Sequence, residues 1–233
     1  MTRAEMLAEL QTVLNDATTD GAWSTTTLLG YLAEGQDKFC EETGYFRDRT
    51  NFSITLATGV AVYDIPDRVI QILNIWDGTR RLGKGLTGDD TSDSDTEWTF
   101  DTTQPGTPRL WQTDQETGTI TLYPVPTAAD NGDVYALQVW RYSRYDLAGD
   151  GAAPEGGGDA PDAEPEIPSR FHRACVEWAA YKAFMHRDVE TQDSIKAADH
   201  LNAFKMYVSD GVTTLRRYQN QEVRVGTNPA YRT

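Results

Sequence analysis

The chain has 233 residues, enough for one domain or two small ones and for a core that needs neither disulfides nor a metal. Hydrophobic residues are 39%, aromatics 10% and the net charge is −15, a balance that argues against generic nucleic-acid binders and anionic membrane surfaces, both of which call for clustered Lys and Arg. No apolar run approaches the ~18 residues of a spanning helix, MTRAEMLAEL lacks the apolar segment of a secretory signal, and two distant cysteines, Cys40 and Cys175, fit a reducing cytoplasm rather than a disulfide framework.

Thr2-Arg-Ala-Glu5 fits a capping box, and Met6, Leu7, Leu10, Val13 and Leu14 follow at helical spacing. Asp20-Gly21 breaks this helix. Ser24 or Thr25 caps a second, with a stripe of Leu28, Leu32, Phe39 and Cys40 that ends near Gly44. Gly30 and Gly35 weaken it by ~1 kcal/mol each relative to Ala, unless they serve close helix packing.

From residue 50 the period changes to two. Phe52, Ile54 and Leu56, a turn at Thr58-Gly59, then Val60, Val62 and Ile65 read as a hairpin. Val69–Trp76 reads as a strand, and Asp77-Gly78 as a two-residue hairpin turn. Gly118 turns into Thr119–Tyr123, which Pro124 and Pro126 stop, and Asp130-Asn131-Gly132 turns into a strand from Val134 to Tyr142. Seven or eight short strands with frequent turns predict a small sandwich or barrel. Two acidic stretches, 89–97 and 149–166, carry eleven acids and no base and read as solvated loops.

Helix returns after Pro168, with one stripe of Phe171, Ala174, Cys175, Trp178, Tyr181 and Met185. Thr191 or Asp193 caps a last helix with Ile195, Ala198, Leu201, Phe204, Val208, Val212 and Leu215 on one face. Neither terminal helix pair buries its stripe alone. The expected fold is α+β: a four-helix bundle from 1–48 and 167–217, an inserted antiparallel β-sandwich or barrel-like domain at 49–148, the acidic loop 149–166, and an extended C-terminal arm at 218–233.

Signals of chemistry are sparse. Gly83, Gly85 and Gly88 lack the Lys-Ser/Thr of a phosphate loop and read as a flexible loop tip. His172, His186 and His200 are fourteen positions apart, about 21 Å along a helix, so His172 and His186 cannot share a metal on one helix. Cys175 sits on an apolar stripe, as a core residue does. Asp93–Glu97 imitates the start of a calcium loop, but Trp98 stands where its glycine belongs and Gln104 where its last glutamate belongs. Trp76, Trp98, Trp111 and Trp140 fall in or beside strands, where core packing is the plain reading and a sugar platform the alternative. No enzyme, metal or cofactor is expected.

The C-terminal segment stands apart. From Arg216 to Thr233 it holds four Arg and one Glu, and Val223, Val225 and Tyr231 alternate with polar residues. Gly226 and Pro229 argue against helix, so the segment reads as an arm able to dock on a partner.

Several phrases resemble the head-to-tail adaptor (connector) proteins of tailed bacteriophages: LLGYLAEGQDKFCEETG at 28–44, VAVYDIPD at 60–67, GTPRLW at 106–111, ITLYPVP at 120–126 and IPSRFHRACVEWAAYKAFMHRD at 167–188. The resemblance implies a virion protein of the head–tail junction, made in the host cytoplasm. It implies a homo-oligomeric ring, usually of twelve copies, beneath the portal protein, extending the DNA channel and offering a platform to the next tail or neck component. Double-stranded DNA would pass without sequence-specific binding, which suits an acidic wall. The implied portal contacts are Arg216, Arg217, Tyr218, Val223, Arg224, Val225, Pro229, Tyr231 and Arg232. The alternatives are a neck or tail-completion protein elsewhere in the virion, or a carbohydrate-binding β-module.

Overall fold

The computed structural model describes residues 1–15, 23–85, 104–114, 116–145, 147–148, 164–186 and 193–225, with side chains as far as 218 in the last segment. The fold is α+β, with four helices and two sheets. The chain divides into two compact units, Met1–Phe46 with Tyr142–Thr233, and Arg47–Arg141.

In the first unit, α1 (Arg3–Val13) starts at the capping box expected: the Thr2 hydroxyl accepts from the Glu5 amide at 3.2 Å and the Glu5 carboxylate from the Thr2 amide at 2.9 Å. Ser24 caps α2 (Thr25–Thr43), whose end is Gly44 in the left-handed region, φ +59°, where a side chain is disfavoured. A 3-10 turn, Ser169–Phe171, leads into α3 (His172–Met185). The Asp193 carboxylate accepts from the amides of Ile195 and Lys196 and so caps α4 (Ser194–Val225); Thr191 lies outside the described residues.

Helix α3 touches α1, α2 and α4. It is therefore buried on almost every side: Val176, Ala179, Ala180, Ala183 and Phe184 are buried besides the Phe171, Ala174 and Cys175 of the expected stripe, while Met185 is exposed. A helix apolar all round is an interior helix, and a single stripe is too narrow a description of it. Gly35 of α2 lies against α3, whereas Gly30 faces open space and serves no close packing. On α4 the buried residues are Ala197, Phe204, Gly211 and Thr214, and Ile195 and Ala198 of the expected face are exposed.

In the second unit β8 (Val134–Arg141) is the centre of one sheet. It pairs with β1 (Phe46–Asp48), β2 (Ser53–Thr55) and β4 (Val69–Trp76). The other sheet has the order β3-β7-β6-β5, from β3 (Val62–Asp64), β7 (Thr119–Tyr123), β6 (Leu110–Asp114) and β5 (Gly83–Lys84). All ladders among β2, β3, β4, β6, β7 and β8 are antiparallel, while β5 runs parallel to β6. Ile54, Leu56, Ile72, Ile75, Tyr135, Leu137 and Val139 of the first sheet share one core with Trp111, Ile120 and Leu122 of the second. Neither sheet closes on itself, so the unit is a sandwich and not a barrel.

Three turns differ from expectation. Thr58-Gly59 does not close a hairpin: β2 and β3 belong to different sheets. The Leu56 amide donates to Asp133 O, the Thr58 amide to Asn131 Oδ1 and the Gly59 amide to Pro126 O, so the segment is held on the β7–β8 connection instead of folding back on β2. Asp77-Gly78 belongs to a four-residue turn, in which the Asp77 carboxylate accepts from the Arg80 amide and the bridge forms between Trp76 and Arg81. Gly83 and Gly85 are no loop tip: β5 pairs with β6, and the Gly85 amide donates to Trp111 O.

Candidate functional site

The C-terminal residues singled out by the sequence sit on a helix. Helix α4 runs without interruption to Val225, so 218–225 is not the extended arm expected. Residues 216–225 contain neither Gly nor Pro and are rich in Arg, Gln and Glu. They extend an already formed helix at little cost, and the alternation of Val223 and Val225 has no strand to serve. Arg216, Arg217 and Tyr218 are exposed, Tyr218 by 57%. Val223, Arg224 and Val225 are helical, and Pro229, Tyr231 and Arg232 lie outside the described residues.

Upstream, α4 is anchored along one line of positions. Ala197 and Phe204 are buried, at 1% and 2% exposure. The Phe204 ring is 5.0 Å from that of Trp178 on α3. At Gly211 a Cβ would stand 3.0 Å from Cζ of Phe39 and from Cγ2 of Thr43, so α2 reaches the very backbone of α4. Positions 197, 204 and 211 are seven apart, almost two turns, and lie on one face. Tyr218 is the next member of that series.

The histidines take structural places. His172 is buried, and its Nε2 lies 2.7 Å from Ile167 O while Nδ1 lies 2.9 Å from the Met1 amino nitrogen. Burial holds its pKa below the usual imidazole value. His200 on α4 stacks on Phe184 and sets Nδ1 2.7 Å from Glu177 of α3; Glu177 also accepts from Arg173 Nε, which lies 3.4 Å from Glu9 of α1. This polar chain joins three helices. His186 packs edge-on against Trp23. Among the described residues no group of three His, Cys, Asp or Glu is placed to hold a metal ion. Residues 93–103 of the calcium-like stretch lie outside them.

Cys40 and Cys175 are free and buried, and burial pushes the Cys175 thiol far up, away from a reactive thiolate. Gln36 was legible only as part of a phrase. Its amide donates to Tyr145 O at 2.7 Å from a buried position and ties α2 to the segment after β8. Tyr142 donates to Glu41 at 2.7 Å; burial first, then that bond, pushes the phenol up to about 12, while Lys38 and Tyr142 hold the Glu41 carboxyl low. In the β-unit, Asp48 and Arg141 form a buried ion pair at 3.2 Å, and Asp48 also accepts from the amides of Thr50 and Asn51. Large exposed hydrophobics there are Val60, Val62 and Val134 among the described residues, not the aromatics of a sugar platform.

A family model described as SU10 adaptor protein matches residues 1–230. The chain belongs to the SU10 adaptor protein family. No curated protein matches it. It is therefore a phage adaptor structural protein, a virion component that meets other virion components. Among the described residues no helix is long and apolar enough to cross a membrane.

Proposed function

We propose that this protein is a head-to-tail adaptor: copies form a ring below the portal, extend the DNA channel and present a platform to the next tail or neck component. Family membership over residues 1–230 is the observation that carries the reading. The role is structural and not enzymatic, and it asks for no cofactor. The helical unit would serve as a four-helix bundle around α3, with the β-sandwich as its insertion. A net charge of −15 suits a wall past which DNA slides without being held. The portal contact falls to the basic end of α4, Arg216, Arg217, Tyr218, Val223, Arg224 and Val225, and to Pro229, Tyr231 and Arg232 beyond it. A ring of about twelve copies is what the resemblance implies. Electron microscopy of the protein mixed with the portal protein of the same phage tests the reading. A ring coaxial with the portal is expected; rings or monomers that leave the portal bare would place the protein elsewhere in the neck.

A further inference from the structure

We infer that the end of α4 docks as a helix, with Tyr218 as its apolar anchor, in an apolar groove with an acidic rim on the portal. The inference rests on the adaptor reading above and replaces strand addition by a helix-in-groove contact. The first support is the burial pattern. Positions 197, 204 and 211 form a seam filled by α3 and α2, and the seam continues on the same helical face to Tyr218, which is 57% exposed. Thr214 is the last buried residue of α4, whereas the helix continues to Val225. About eleven residues, some 16 Å of helix, therefore extend past the last packed position. An apolar face followed by a tyrosine at its own seam position is the pattern of a helix that meets a second surface.

The second support is charge. Arg216 and Arg217 are exposed beside Tyr218, and Arg216–Thr233 holds four Arg against one Glu in a chain of net −15. That end would be drawn to an acidic rim, and opposite charge speeds and orients the encounter. The tyrosine supplies the buried contact, as aromatic anchors do at interfaces. A second copy is the poorer occupant. The groove that accepts this seam, formed by Phe39 and Thr43 of α2 and Trp178 of α3, is filled in each copy by its own Phe204 and Gly211.

The test measures binding of the full chain to purified portal of the same phage, alongside sedimentation of the chain alone. The variants are Tyr218→Ala, Arg217→Glu, Asn220→Ala and Asn220→Pro, each first shown to keep the wild-type melting temperature. Tyr218→Ala is expected to weaken binding at least tenfold and Arg217→Glu to weaken it most at low salt. Asn220→Pro, which breaks a helix but not an extended strand edge, is expected to weaken binding as much as Tyr218→Ala; Asn220→Ala leaves it equal or tighter. If wild type binds and both Tyr218→Ala and Asn220→Pro bind equally well, the helical anchor is wrong and the adaptor reading stands. If wild type does not bind portal, the adaptor reading fails and takes the inference with it. If Tyr218→Ala abolishes self-association but leaves portal binding intact, the occupant is a second copy and the inference is overturned.

Discussion

Gly35 of α2 stands directly against the backbone of Cys175 on α3: a Cβ at position 35 would lie 3.0 Å from the Cys175 carbonyl oxygen and 3.1 Å from its Cα. Backbone cannot swing aside as a side-chain tip can. Gly30, one turn and a half earlier, meets nothing within 4 Å. The two glycines thus make a matched pair. Gly30→Ala is expected to stabilise the chain by about 0.5–1 kcal/mol through helix propensity. Gly35→Ala gains the same propensity but pushes two helices apart, and overpacking of about 1–3 kcal/mol outweighs it. Thermal melts of both variants check the signs; a stabilised Gly35→Ala would mean that α2 and α3 can separate freely.

The Asp48–Arg141 pair anchors the second unit. Both side chains are buried, and the Asp48 carboxylate also organises the turn after β1 through the amides of Thr50 and Asn51. Replacing Asp48 by Ala leaves a buried guanidinium without this carboxylate and the turn without its acceptor. A loss of about 3–5 kcal/mol is expected, as for one partner removed from a buried ion pair. Chemical denaturation with Trp fluorescence reads it, since Trp111 lies in the core of the same unit. A loss below about 1 kcal/mol would place the pair among surface-like ion pairs.

Much of this fold was legible and the reasons for the exceptions are physical. Caps and glycine turns are local chemistry, so Thr2, Ser24, Gly44, Gly118 and Gly132 all fall where their residue types direct. Strand partners are decided elsewhere. Nothing between Phe52 and Ile65 says that Gly59 will bond to Pro126, about 67 positions away, so a hairpin was the natural and incorrect reading. The full burial of α3 likewise depends on three neighbours that its own sequence does not mention. At the candidate site, composition revealed the basic end but not its conformation. Val223 and Val225 suggested a strand, yet helix propagation through ten residues without Gly or Pro decides otherwise. Gln36 and Asp48 gave no signal beyond being polar, because their importance is a matter of burial.

Acid should loosen the helical unit before it touches the carboxylates. His172 is buried, and its folded pKa lies below the ordinary 6.5 because burial disfavours the charged ring. Below 6.5 the unfolded chain takes up a proton that the folded chain resists. Stability from this group is therefore complete above about pH 6.5 and declines as pH falls through the folded pKa. Glu41 and Asp130, whose carboxyls are held below their usual values, contribute their own loss only at more acidic pH. Denaturation midpoints at pH 7.5 and 5.5 should differ for wild type and differ less for His172→Gln. Equal slopes in both proteins would assign the acid sensitivity to other groups.

Truncation separates folding from docking. A chain ending at Leu215 keeps every buried residue of α4, from Ala197 through Phe204 and Gly211 to Thr214, and loses only positions that follow the last packed one. Its melting temperature should stay within about 2 °C of the full chain, because a 1 kcal/mol change shifts a domain of this size by roughly 2–4 °C. Portal binding should fall at least tenfold, equivalent to about 1.4 kcal/mol. The two readouts cannot be exchanged for one another. A truncated chain that melts many degrees lower would show that residues after 215 pack on their own subunit, and a small binding loss would then be secondary. A truncated chain that melts normally and still binds portal with unchanged affinity would move the docking surface away from α4, to the exposed faces of α1 and α2 or to the valines of the sandwich.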